Sequence, residues 1–327
     1  MPKFSVIIPV VALNDYVDES VSALQSNTFS DWELIIVTNN KEDNKWNDPR
    51  IKLLDSGRVG PGEKRDMAAQ VAIGEILAFL DDDAYPDNLW LENASLAFSE
   101  GVKAIGGPSL TPPSNSFWQK VSGSMYERKL LGGDPIRYSR IKKAIDVDDW
   151  PSVNLFVKRD VFLNVGGFDC KFWPGEDTFL CLKLKELNIK IKYSPDVFVW
   201  HHRRPNFFSH LKQLSNYGLH RGYFARHFPA TSFRFKYFLP TFLLVVGLAF
   251  ISSLIFDFAQ LKILSLVLLL TYFLSVLSAL ISMLGKYNIL HLTILFFYTI
   301  SSHLFYGFHF MRGFLKLSSL QSKLRAE

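Results

Sequence analysis

Cysteine is scarce in this chain, and charge is absent from one long part of it. The only cysteines in 327 residues are Cys170 and Cys181. Two thiols rule out a disulfide scaffold, and their spacing matches no metal or redox motif, so the sequence predicts two buried thiols in a reducing compartment. Residues 237–311 hold three charged side chains, Asp257, Lys262 and Lys286. A purely soluble protein has no use for such a run. Residues 201–236 lack acids altogether while carrying seven Arg and Lys. Internal repeats and low-complexity tracts are missing, and a hydrophobic content of 48% excludes disorder and collagen. No cleavable leader is expected either. The apolar run Val6–Leu13 is short, is broken by Pro9, and leads into Asn14 and Asp15.

What remains is divided along the chain. The length fits about two domains. Residues 1–236 carry 59 charged side chains, as a soluble domain does. The net charge of +5 is the outcome of −6 over residues 1–200 and +7 over residues 201–236, with the remainder after 236. The basic balance therefore implies no nucleic-acid partner. It places a positive patch beside the apolar region, where anionic headgroups or a phosphorylated lipid are the expected partners. Lys and Arg favour the cytoplasmic side, so the reading is a multi-pass membrane protein whose basic segment faces the cytoplasm.

The first 110 residues alternate strand and helix signals. Strands are predicted at Phe4–Pro9, Glu33–Val37, Ile51–Leu54, Ile76–Leu80 and Val102–Ile105, with helices at Tyr16–Ser26, Glu63–Ile73 and Asp87–Ser99. This alternation implies an α/β fold with a mostly parallel sheet flanked by helices, and such sheets bind ligands beyond the carboxyl ends of their strands. Residues 108–150 are irregular. Val153–Val157 resumes as a strand, Glu176–Leu187 as a helix, and Ile189–Tyr193 and Val197–Trp200 as strands, while His201–His227 reads as one or two helices. Phe238–Phe256, Ile263–Leu284 and Ile289–Met311 are each long enough to cross a bilayer. The expected organisation is an α/β domain over 1–230 with a basic juxtamembrane segment at 201–236, two to three spans over 237–311, and a basic tail over 312–327. Three spans is the reading favoured. Two spans with a re-entrant or interfacial third helix would instead keep Arg312, Lys316, Lys323 and Arg325 inside.

Three clusters carry chemistry. Asp81-Asp82-Asp83 follows an apolar strand, and adjacent carboxylates there repel unless a cation or hydroxyl donors compensate. Mg²⁺ or Mn²⁺ takes such oxygen ligands and shares them with phosphates. A solvated acidic turn capping the next helix accounts for the triplet equally well. Glu176-Asp177 opens a helix, where acids also serve as caps; functionally, an acid there could act as general base. His201-His202-Arg203-Arg204 is either a polar strand end at a membrane surface or a group that neutralises a diphosphate. Lys64 and Arg65, after the Gly60-Pro61-Gly62 turn, could serve a phosphate in the same way.

Taken together and in order, these pieces resemble the family-2 glycosyltransferases with a GT-A fold. The matching stretches are Val6-Ile7-Ile8-Pro9, Ile76–Leu80 with the acidic triplet, Asn154 to Phe168-Asp169, and Gly175-Glu176-Asp177 with Leu182-Lys183-Leu184. They cover about residues 3–205. The basic and apolar remainder is similar to the membrane-anchored subgroup that extends lipid-linked sugars for bacterial exopolysaccharide of the succinoglycan type. The resemblance implies Asp177 as base beside Glu176. It implies donor nucleotide contacts from Pro9, Asn39, Lys64, Arg65, Asp81 and Asp82, and a metal held by Asp83 and His201. It assigns the diphosphate or acceptor to Gly106, Gly107, His202, Arg203, Arg204, Gln213 and Arg221. The implied partners are a nucleotide-diphosphate sugar, a polyprenyl-diphosphate-linked saccharide and the membrane. Thr38-Asn39-Asn40 stand where the family usually places an Asp pair against the base, so the base stays open. Tyr217 follows Asn216, so the Gln-x-x-Arg-Trp motif of processive synthases is missing. A polyprenyl-phosphate glycosyltransferase and a non-catalytic nucleotide-sugar-binding scaffold are the alternatives.

Overall fold

The structure, a computed structural model, describes residues 3–143, 145–169, 172–316 and 320. In chain order the first elements are β1 (Phe4–Pro9), α1 (Asp15–Gln25), β2 (Trp32–Thr38), β3 (Ile51–Asp55), α2 (Pro61–Val71), β4 (Ile76–Leu80), β5 (Ala84–Pro86), α3 (Trp90–Ser99), β6 (Ala104–Gly106) and β7 (Ser109–Leu110). Then come α4 (Phe117–Tyr126), a 3₁₀ turn at Lys129–Leu131, α5 (Pro135–Tyr138), β8 (Asp146–Val147), β9 (Asn154–Lys158), α6 (Arg159–Asn164), α7 (Glu176–Glu186), β10 (Ile191–Tyr193) and β11 (Val199–His201). The remainder is helical: α8 (Phe207–His227), α9 (Pro229–Ser232), α10 (Phe235–Ile255), α11 (Ala259–Ile281) and α12 (Ile289–Leu315).

These elements form two compact units, and the division does not follow the expected boundary at 230. The first unit takes the chain up to Pro112 and Ser139–His202; the second takes Pro113–Tyr138 and the chain from Arg203 through α12. The irregular stretch 108–150 is thus shared between them.

The first unit is an eight-stranded sheet in the order β3-β2-β1-β4-β9-β6-β10-β8, with a small second sheet β5-β11-β7. β1, β2 and β4 are buried along their whole length, and apart from Ser5, Glu33 and Thr38 they read as apolar runs rather than alternating ones. β3, β2, β1 and β4 pair in parallel, whereas β9 is antiparallel to both β4 and β6. Between β7 and β9 the chain passes through α4 and α5, which belong to the second unit, and the parallel alternation of the first hundred residues ends there. Asn14 caps α1 by accepting from the Tyr16 and Val17 amides. Pro61 opens α2 at a position where its missing N–H costs nothing. α3 starts at Trp90, not Asp87, because the Asp87 carboxylate and carbonyl accept from Leu89 and Trp90 in a turn. Pro205 separates β11 from α8, which Asn206 caps, so His201–Arg204 is not helical.

In the second unit, α10, α11 and α12 are long and apolar enough to cross a membrane. α8 packs along α12 at very close range. A Cβ on Gly218 would meet the Tyr306 carbonyl, and one on Gly222 would overlap that of Phe310. This Gly-x-x-x-Gly spacing lets two backbones approach as in membrane helix pairs. Three buried histidine contacts add polar links: His210 lies between Ser122 and Ser302 at 2.8 and 3.0 Å, and His291 meets Ser124 at 2.9 Å.

Candidate active site

The site of the first unit lies past the carboxyl ends of β1, β2 and β4. β4 delivers the acidic triplet, and β11, paired antiparallel to β5, returns His201 beside it. His201 Nε2 is 3.0 Å from Asp83 Oδ1. The ligand atoms of Asp81, Asp83 and His201 all lie within 4.8 Å of one another. Two carboxylates and an imidazole at this separation suit a divalent cation. The sequence assigned Asp83 and His201 to metal, and the structure brings Asp81 to the same point. Asp82 differs: burial, with Asp83 and Asp81 adjacent, raises its carboxyl to about 6.

Arg65, buried on α2, joins the triplet to the second acidic pair. Its Nη2 reaches Asp81 Oδ1 at 2.5 Å and its Nη1 reaches Glu176 Oε1 at 3.3 Å. Glu176 itself is buried; burial first, and the Asp177 charge next, push its carboxyl well above the ordinary range, against the pull of Arg65. Asp177 is less buried than Glu176, and its Oδ1 accepts from the Thr178 amide at 2.7 Å. Lys64 turns the other way. Its ammonium donates to the Val10 carbonyl just after Pro9, and burial lowers it to about 8. Asn39, at the end of β2, donates its amide to Val11 at 3.0 Å.

Gly106 and Gly107 make close approaches that no other residue would allow. A Cβ on Gly106 would strike the Trp150 ring, and one on Gly107 the Val197 carbonyl. Asn154, from the resemblance's third stretch, holds this wall together: its Nδ2 donates to Pro108 and Val197, and its Oδ1 accepts from Trp90.

Residues 76–315 match the family model described as glycosyl transferase family group 2. The chain belongs to this glycosyltransferase family. Among curated relatives it is 28% identical over 218 residues to glycosyltransferase AglE of Haloferax volcanii, covering 63% of this chain and 68% of that one. It is 27% identical over 138 residues to a GalNAc(5)-diNAcBac-PP-undecaprenol beta-1,3-glucosyltransferase of Campylobacter jejuni, covering 39% of this chain and 45% of that one. The match thus spans less than half of the Campylobacter enzyme. Among solved structures, the mannosyltransferase PcManGT of Pyrobaculum calidifontis, in complex with GDP-Man and Mn²⁺, aligns with a TM-score of 0.54 at 16% identity. The alignment covers 97% of this chain and 88% of that one. The sheet with flanking helices is the GT-A fold.

The remaining expected residues of the glycosyltransferase separate into different settings. His202 Nε2 donates to Glu19 Oε2 at 2.7 Å, and the ring lies against the Tyr16 and Tyr85 rings. Neither Glu19 nor Tyr16 carries a signal in the sequence; both reach the site only because α1 packs beside β5. Arg203 lies in a different setting from Arg204. It is buried, with its guanidinium over the Tyr126 and Tyr138 rings at 5.7 and 5.0 Å, so it packs the second unit. Arg204 and Gln213 do meet: the Gln213 amide oxygen, oriented by its neighbours, accepts from Arg204 Nε and Nη2 at 3.2 and 3.3 Å. Arg221 donates to Ser232 Oγ at 3.1 Å and lies over the Tyr237 ring. Cys181 is a buried thiol accepting from the Trp150 amide. Cys170, Lys323 and Arg325 lie outside the described residues.

Proposed function

We propose that the protein transfers a sugar from a nucleotide-diphosphate donor to a saccharide carried on a membrane lipid diphosphate, inverting the anomeric centre, with Asp177 as base. The observation that carries this reading is the double engagement of Arg65. It ties the carboxylates suited to a cation to the acid pair at the start of α7. A donor-activating cluster and a candidate base thereby share one rigid point. The Campylobacter relative acts on an undecaprenol-diphosphate saccharide and PcManGT binds a GDP-sugar with Mn²⁺, which supports the same partners here.

The side chains then take these roles. Asp81, Asp83 and His201 would hold Mg²⁺ or Mn²⁺, which supplies Lewis-acid charge to the departing diphosphate. Asp177, the more accessible acid, accepts the proton of the acceptor hydroxyl. That oxygen bonds to the anomeric carbon while the bond to the diphosphate breaks, in one in-line displacement. Glu176, buried and held by Arg65, keeps the start of α7 in place and confines the base role to its neighbour. Gly106 and Gly107 leave room beside the sheet, and the basic residues of the segment 201–236, Arg204 and Arg221 among them, attract the lipid-borne diphosphate.

The test is nucleoside-diphosphate release by detergent-purified protein. UDP-, GDP- and dTDP-sugars are offered with Mn²⁺ or Mg²⁺ or with EDTA, and with or without a lipid-linked acceptor extract. Release from one donor, abolished by EDTA and raised by the extract, is expected. No release from any donor, together with metal-independent nucleotide binding, would leave only a scaffold.

A further inference from the structure

We propose that α12 does not cross the bilayer. It lies in the membrane interface beside α8, so that the chain crosses only twice, through α10 and α11.

The hairpin formed by α10 and α11 fixes the geometry. Its helices are joined by three residues, Phe256–Phe258, so the hairpin has one tip and two feet. The foot of α10 sits on the C-terminal half of α12: Phe238 is 4.8 Å from Phe310 and 5.6 Å from Phe314, and Thr241 donates to the Gly307 carbonyl at 2.8 Å. The foot of α11 joins the N-terminal half, where Val276, Leu280 and Met283 share a cluster with Leu292 and Leu295. From Leu292 to Phe310 the helix runs roughly 27 Å at about 1.5 Å per residue. Two feet that stand on one face of a bilayer therefore touch opposite ends of α12. A helix that joins them runs along that face.

Both ends of α12 are also pinned to polar elements that precede α10. Before its N-terminus, Lys286 pairs with Glu127 at 2.6 Å, and Tyr287 donates to Glu127 at 3.0 Å. At its C-terminus, Arg226 and His227 of α8 reach the Phe314 and Lys316 carbonyls at 3.2 and 3.3 Å. α8 presents Lys212, Asn216 and Arg226 outward, groups that cannot enter hydrocarbon. A helix that follows α8 this closely stays at its depth.

The bare surface of α12 fits one leaflet. Leu290, Phe297, Leu304, Phe308, Met311 and Leu315 are 37–62% exposed. At about 100° per residue they fall within about 60° of one another. The opposite side, with Thr299, Ser302 and Phe310, is buried. The occupant of the bare ridge is acyl chain, because the ridge belongs to the same unit as the apolar hairpin and its one exposed polar side chain, Thr293, returns its hydroxyl to the Ile289 carbonyl at 2.9 Å. α10 and α11, by contrast, are apolar around most of their circumference, as true spans are.

The experiment uses the full chain with an epitope inserted after Asp257 and a second tag at the C-terminus, probed on intact and permeabilised spheroplasts. The two tags are expected on opposite faces, one detected before permeabilisation and the other only after it. Both tags on the same face would overturn the proposal. Charge insertion gives a second readout. Leu304→Lys should insert at the parent level, because the lysine reaches the headgroups from an interfacial helix, whereas Val267→Lys at the middle of α11 should cut inserted protein several-fold. An equal loss in both variants would overturn the proposal even if the tagged chains failed to fold.

Discussion

Asp177 and Glu176 are neighbours in sequence and differ by environment. Glu176 is buried against Arg65, while Asp177 keeps access to solvent. The proposed mechanism makes this difference decisive, since only the accessible acid can meet an acceptor hydroxyl. Asp177→Asn is expected to lower turnover by about 10²–10⁴-fold, the usual worth of a positioned base, and to leave nucleotide-sugar affinity within a few-fold. Rate and affinity are read separately by product release and by calorimetric titration of the donor. Undiminished turnover would favour direct attack by a lipid phosphate, which needs no base. The acidic groups of this candidate site were visible in the sequence because each stands at the end of an element. Glu19 was not, since its meeting with His202 depends on a helix packing 183 positions away.

At the scale of elements, α4, α8 and α12 meet through His210. Burial lowers this imidazole to about 4, and it sits between two serine hydroxyls. The native state thus holds a neutral His210 that the unfolded chain protonates below its ordinary value near 6.5. Its contribution to stability is fully present above about 6.5 and is lost as pH falls toward 4. Each tenfold difference in proton affinity between the folded and unfolded chain corresponds to about 1.4 kcal/mol, so the loss should approach ~3 kcal/mol at the acid end. Thermal midpoints in detergent between pH 7 and pH 4 check this, and His210→Gln should flatten that part of the profile. Helical spacing alone could not assign His210 to this role. The expected one or two helices over 201–227 became one helix starting at Phe207, because Pro205 and the Asn206 cap set its start. β9 shows the same limit: its composition announced a strand, and its antiparallel direction came from the route of the preceding chain.

Across the whole molecule, charge is sorted by position. The acid-rich residues 1–200 hold the proposed catalytic groups, and the +7 segment precedes the apolar helices. Reversing Arg204 and Arg221 to Glu should lower turnover on lipid-linked acceptors at least ten-fold, by lost attraction for a diphosphate, while donor binding to purified protein stays unchanged. Equal activity on the lipid-linked acceptor would remove this segment from acceptor capture.

Composition and local pattern determined much of this protein by themselves. They were enough for an α/β fold with a mostly parallel sheet, an acidic cluster at a strand end, a basic segment and three apolar helices, because each is written in contiguous residues. Tertiary structure decided what depends on distant contacts. It placed Asp81 with Asp83 and His201, and gave Arg65 to two acids that lie 16 and 111 positions away. It turned Arg203 inward onto tyrosines and set both ends of α12 on elements that come before α10. Hydropathy measures only whether a segment tolerates lipid. Whether that segment crosses is decided by what its two ends are tied to.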